Sequence, residues 1–195
     1  MKETRQRDRE VPDPQSPWDE ITPGLWMGGH YWTDPAGEPR PVVVGAEFDL
    51  VISLFTRPGH GPDPRVEHLV GEMPDAPLTG AQLHTVLRLA GAARQALDSG
   101  RRILVRCHSG YNRSGLVVAQ CLVDGGLAPA AAIGLVRLGR SPWALSNETF
   151  TDYLAAGPEV AALLVDLDPV SGLDSGPASG LDRGPDPEPD APSRP

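Results

Sequence analysis

The chain has 195 residues, 39% of them hydrophobic, with 22 glycines, 22 prolines and a formal net charge of −9. That length suits one domain whose core needs neither disulfide nor metal support. The acidic balance argues against a general nucleic-acid or anionic-membrane surface, which would be basic. No apolar run approaches the roughly 20 residues of a membrane span.

In chain order, residues 1–16 alternate in charge and read as a flexible arm with no apolar signal segment. A cytoplasmic, reducing location is therefore expected, with Cys107 and Cys121 as free thiols. Short β-branched runs bounded by Gly and Pro predict strands over 24–28, 41–44, 48–54, 66–70 and 102–106, with residues 57–64 as a loop. Thr79 and Gln82 form a capping box, and Leu83, Val86, Leu87, Ala90, Ala93 and Leu97 continue it as an apolar helical stripe that Gly100 stops. Further helices are expected from Asn112 or Arg113 to Gly125, over 129–139, and after Ser146 or Asn147 through Phe150, Tyr153 and Leu154, with a continuation through Ala161–Val165. From 168 the chain is Pro, Gly, Ser and Asp with little to bury, so 168–195 reads as a disordered acidic tail. The folded part is expected over 17–167. Its fold class is α/β: a single domain with a central, mostly parallel twisted sheet of about four or five strands flanked by helices.

The informative segment is residues 103–115, ILVRCHSGYNRSG. A short buried strand delivers Cys107, and Arg113 opens an apolar helix. A loop of this kind aims backbone N–H groups at a helix N-terminus, where the dipole favours an anion. Gly110 permits close backbone approach or a positive φ. Arg113 offers a planar fork for two phosphate oxygens. The same field favours the thiolate of Cys107, which would attack an arginine-bound phosphoryl group. Ser114 would donate a hydrogen bond to the sulfur. His108, Ser109, Gly110, Tyr111 and Asn112 complete the phosphate-binding set. A poor leaving group needs a proton, and Asp75, between Pro74 and Pro77 and just before the capped helix, is the favoured donor. Asp63, Glu67, Glu72 and Asp98 are the acidic alternatives.

The Cys107–Arg113–Ser114 spacing resembles the C-x5-R-[S/T] signature of the cysteine-dependent protein tyrosine phosphatases, most closely their small dual-specificity branch. The segments ITPGLWMGG, FDLVISL and SPWALSNETF resemble that branch too, and the Asp75-to-Cys107 separation is similar to its acid-to-nucleophile spacing; together these cover about residues 21–155. The resemblance implies a phosphatase-like fold and hydrolysis of phosphate monoesters through a phosphocysteine, without cofactor or metal, on a phosphorylated protein or peptide. One departure stands out. The family usually has His before the cysteine; here it is Arg106, which keeps a positive group near but changes how the loop is braced.

The residues allow other functions as well. The loop is also similar to that of RNA 5′-triphosphatases, so a non-protein substrate is an alternative, as are a phosphate-binding module without turnover and a thiol redox enzyme. Cys121 falls on an apolar helix and reads as core. His30, His60, His68 and His84 have no metal-ligand spacing, and Trp26, Trp32 and Trp143 read as packing residues.

Overall fold

Side-chain alternation along three short strands sets the layers of the molecule. The computed structural model describes residues 11–167; the expected tail over 168–195 and residues 1–10 of the expected arm lie outside them. In chain order the elements are β1 (Trp18–Thr22), β2 (Leu25–Gly28), β3 (Tyr31–Thr33), β4 (Pro39–Pro41), β5 (Leu50–Ser53), β6 (Glu67–Val70), α1 (Gly80–Asp98), β7 (Ile103–Arg106), α2 (Asn112–Asp124), α3 (Pro129–Gly139), α4 (Glu148–Ala156) and α5 (Pro158–Leu167).

The main sheet has five strands in the order β1-β2-β7-β5-β6. Only β1 runs antiparallel to its neighbour; β2, β7, β5 and β6 pair in parallel. This is the expected α/β architecture with a mostly parallel sheet. Leu25, Met27, Leu50, Ile52, Ile103 and Val105 point to one face and pack with the helices in the larger core. Trp26, Val51 and Leu104, offset by one residue, point to the other face and meet Val42, Val44, Phe48, Trp18 and Trp32. A period of two residues produces this division. The central strands are buried on both sides, so they read as continuous apolar runs.

The strand expected over 41–44 is displaced. Residues 39–41 pair with β3 in a separate hairpin, and Val42 and Val44 follow as irregular but buried chain, donating backbone bonds to the His30 and His60 carbonyls. Burial, not a ladder, accounts for their apolar character. The last helical stretch is two helices: Gly157, at φ 88°, ends α4 before Pro158 starts α5.

Helix α2 is the axis of the helical layer. Every residue from Ser114 to Leu122 is buried, as expected of a helix packed on all sides. The Thr79–Gln82 capping box forms as read from the sequence. No described helix is long and apolar enough to cross a membrane.

Phe150, fully buried in this layer, is the clearest packing test. Phe150→Ala is expected to lower unfolding free energy by about 3–5 kcal/mol in urea titrations. Val43→Ala, at a side chain 58% exposed, should stay within about 0.5 kcal/mol of wild type.

Candidate active site

Strand β7 ends at Arg106, and the chain turns through residues 107–111 into α2. Because β2 and β7 are parallel and in register, with Gly28 opposite Arg106, the residues just past β2 lie beside the residues just past β7. The contact is backbone on backbone. A Cβ on Gly110 would lie 2.4 Å from the Gly28 carbonyl carbon, and one on Gly29 would lie 2.9 Å from the His108 carbonyl oxygen. Gly110 also has φ 74°, so glycine is required there for both space and conformation.

Five successive carbonyls of this turn are tied back from outside. Cys107 O accepts from His30 Nδ1 at 2.9 Å and His108 O from the His30 backbone N–H at 2.8 Å. Arg140 Nη2 reaches Ser109 O at 3.4 Å and Arg140 Nε reaches Gly110 O at 3.0 Å. Tyr111 O accepts from Leu145 N at 3.4 Å. The peptides here are trans, so each outward carbonyl turns the next N–H inward. The N–H groups of His108, Ser109, Gly110, Tyr111 and Asn112 have no acceptor among the described residues. Helix α2 has no side-chain cap at its N-terminus. Free N–H groups converging on an uncapped helix start make an anion site.

Asp75, Cys107, Ser109, Tyr111, Asn112 and Arg113 line one cleft of about 160 Å³, together with Val11 and Ser146. Cys107 sits at its floor, 2% exposed, with its Sγ 3.4 Å from Ser114 Oγ behind it. Arg113 donates from Nη1 to the Met73 carbonyl at 3.2 Å and lies over the Phe55 ring. Its Nε is buried with no partner among the described residues, a donor suited to an oxyanion. Asp75 reaches the rim from the loop between β6 and α1, with Asn147 Nδ2 donating to Oδ1 at 2.9 Å and Asn112 Nδ2 to Oδ2 at 3.1 Å. That loop is fixed by Gly71 N to Ser53 O and by Leu78 N to Tyr153 Oη.

The four alternative acids are engaged elsewhere. Asp63 pairs with Arg65, Glu67 with Arg101 and Asp98 with Arg94, while Glu72 accepts from the Thr56 backbone and hydroxyl. None lines the cleft. A larger depression of about 240 Å³ around Leu50, Glu67 and Arg101 lies at the opposite end of the strands and is lined by no cysteine.

Two expectations change. The His108 side chain does not line the cleft; it is exposed and sits between the Tyr31 and Phe55 rings, so only its backbone belongs to the turn. Arg106 does not stay with the thiol. Strand alternation sends it to the face opposite Cys107, where it donates to Ser53 Oγ, His60 O and Gly61 O. It braces the loop over 57–64. Cys121 is fully buried and its thiol is pushed up to about 12 by burial, so it stays protonated and packed in the core. No cluster of three or more His, Cys, Asp or Glu able to hold a metal occurs among the described residues.

Sequence reading missed His30, Arg140, Asn147 and the segment 11–16. No sequence spacing marks His30: it follows Gly28-Gly29 at the end of β2, and only the parallel pairing of β2 with β7 brings it to Cys107. The Arg140 side chain is 1% exposed and is held by Asp19 and Ser16. The segment lies against the site, with Pro12 O accepting from Tyr111 Oη and Asp13 from Tyr31 Oη.

His30 generates a pH prediction. Burial, with the cationic Arg106 and the rings of His60 and His108 around it, lowers its pKa from 6.5 to about 4. The unfolded chain therefore binds more protons than the folded one between those values. Stability is complete above about pH 6.5 and declines as pH falls toward 4, by at most about 3 kcal/mol from this group. His68 and His108, also lowered by burial, add in the same direction. Melting temperature measured from pH 7 to pH 4.5 should fall less steeply for His30→Asn than for wild type.

No protein-family model matches the chain, and no curated protein is detectably similar to it in sequence. Solved structures are similar. Human DUSP28 superposes with a TM-score of 0.59 at 26% identity, over 78% of this chain and 97% of that one. A mouse putative dual specificity phosphatase complexed with zinc tungstate gives 0.56 at 21%, over 82% and 98%. Kinase associated phosphatase gives 0.53 at 15%, over 78% and 99%.

Proposed function

We propose that this chain, which has the fold of the cysteine-dependent protein tyrosine phosphatases and resembles their small dual-specificity branch, hydrolyses phosphate monoesters on phosphotyrosine proteins, with phosphoserine and phosphothreonine as further substrates. The observation that carries this reading is the ring of inward N–H groups around Cys107, with Arg113 on one side and Asp75 on the rim.

Three non-bridging phosphoryl oxygens would take the loop N–H groups and the Arg113 guanidinium. These donors meet charge that builds in the transition state, which is where they act most strongly. The Cys107 sulfur attacks phosphorus in line with the leaving oxygen; an S–P bond forms as the P–O bond breaks. Asp75, protonated, gives its proton to that oxygen, so a neutral phenol or alcohol departs. In the second step the Asp75 carboxylate takes a proton from water, the water oxygen bonds phosphorus, and the thiolate leaves with a hydrogen bond from Ser114. Atoms and charge close with inorganic phosphate and free enzyme. Asn112 and Asn147, each bonded to one carboxylate oxygen, keep Asp75 turned toward the cleft.

The apolar wall of Val11 and Tyr111 favours an aromatic leaving group. The lining residues include no lysine, and Lys2 is the only lysine in the chain, which weighs against a polyphosphorylated lipid or an RNA end.

Kinetics on p-nitrophenyl phosphate and on phosphotyrosine and phosphoserine peptides test the assignment. Cys107→Ser should abolish turnover. Asp75→Asn is expected to cost about 10²–10⁴-fold in kcat on phosphotyrosine peptide, and less on the nitrophenyl ester, whose phenolate departs more readily. Wild-type activity equal to that of Cys107→Ser would reject the enzyme reading; unaltered Asp75→Asn kinetics on peptide would reject Asp75 as the acid.

A further inference from the structure

We infer that His30 is a positioning residue for the phosphate loop: its Nδ1–H holds the Cys107 carbonyl and so aims the His108 N–H at the bound phosphoryl group. This rests on the phosphatase reading above.

The carbonyl of Cys107 is an acceptor only, so the imidazole nitrogen 2.9 Å from it is the donor. That fixes the tautomer with hydrogen on Nδ1. The other nitrogen, Nε2, is buried with no partner in the described residues. The ring is fully buried, with Phe55 edge-on at 5.3 Å and His60 at 5.5 Å. An apolar side chain of similar size would fill this space without burying an unpaired nitrogen. The position therefore carries a net cost that only the Nδ1 bond offsets, and that bond ends on the candidate nucleophile's own peptide group.

Geometry gives the bond its consequence. The Cys107 carbonyl and the His108 N–H belong to one planar trans peptide and point in opposite directions. Fixing the carbonyl outward fixes the first N–H of the loop inward. The His30 backbone extends the same action by one peptide, because its N–H holds the His108 carbonyl and thereby turns the Ser109 N–H. Arg140 holds the next two carbonyls. It also forms an ion pair with Asp19, so its removal would disturb more than the loop. His30 offers the cleaner test, and Arg106, the residue that precedes the cysteine, is committed to Ser53, His60 and Gly61.

Asparagine places an amide nitrogen where Nδ1 stands; glutamine places it one atom further out; leucine has no donor. Full-length wild type, His30→Asn, His30→Gln and His30→Leu are compared by calorimetric titration with sodium tungstate, by kcat and KM on p-nitrophenyl phosphate, and by thermal melting. His30→Leu and His30→Gln should bind tungstate about tenfold or more weakly than wild type and lose kcat. His30→Asn should keep both within about threefold. Equal losses in His30→Asn and His30→Gln, with wild-type melting, overturn the inference, as does full tungstate affinity in His30→Leu. If His30→Leu does not fold, the His30→Asn and His30→Gln pair decides. Wild type that neither binds tungstate nor turns over overturns the phosphatase reading and this inference together. When wild type does both, a failure confined to the variants overturns the role of His30 alone.

Discussion

Residues 107–110 press their backbone onto Gly28 and Gly29, and the site depends on that contact. It exists because β2 and β7 are parallel neighbours in register, so both strands deliver their next residues to the same end of the sheet. Without side chains on Gly29 and Gly110 the two chains approach closely enough for the carbonyls of the turn to be tied back by His30. The inward N–H groups follow from the planarity of the peptide. An anion site is thus made mainly of main chain, with Arg113 as the charged side chain on it.

The helical layer then sets the distances. Helix α2, buried on every side from Ser114 to Leu122, cannot shift relative to the sheet without disturbing α1, α3 and α4. Its first residues carry Asn112, Arg113 and Ser114. The segment after α3 brings Arg140, Leu145 and Asn147 to the outside of the turn and to Asp75. Leu145 has φ 56°, an unfavourable backbone conformation for a leucine. It is held where its N–H reaches Tyr111 O and where its side chain packs over Gly115. Val11 lines the other side of the cleft, and Pro12 O accepts from the hydroxyl of the lining residue Tyr111.

Much of this was legible in the sequence. The fold class, the strand carrying Cys107, the capped α1 and a helix opening at Asn112 or Arg113 follow from local periodicity, Gly and Pro boundaries and, for α1, the capping box, all of which depend on near neighbours. Cys107 and Arg113 were readable from the strand–loop–helix unit; Asp75 was one of five acids the sequence offered, favoured for its place just before the capped helix, and the structure lines the cleft with it and none of the other four. Arg106 was misread because its neighbour in sequence is not its neighbour in space: alternation puts residues 106 and 107 on opposite faces. His30 and Arg140 were missed because they act on backbone carbonyls 77 and 30 residues away. Such partners leave no spacing pattern. The displaced strand at 41–44 shows the converse: the apolar run marked buried positions at Val42 and Val44 but neither the exposure of Val43 nor the absence of a ladder.

In the proposed chemistry, phosphate passes through the sulfur of Cys107. The most direct test is intact-mass and peptide mass spectrometry of wild-type protein quenched in acid during turnover of p-nitrophenyl phosphate. One added phosphoryl group is expected, located on the peptide containing Cys107 and absent from Cys107→Ser. Turnover with no such adduct under conditions that preserve thiophosphate esters, or an adduct on another residue, would contradict a phosphocysteine route.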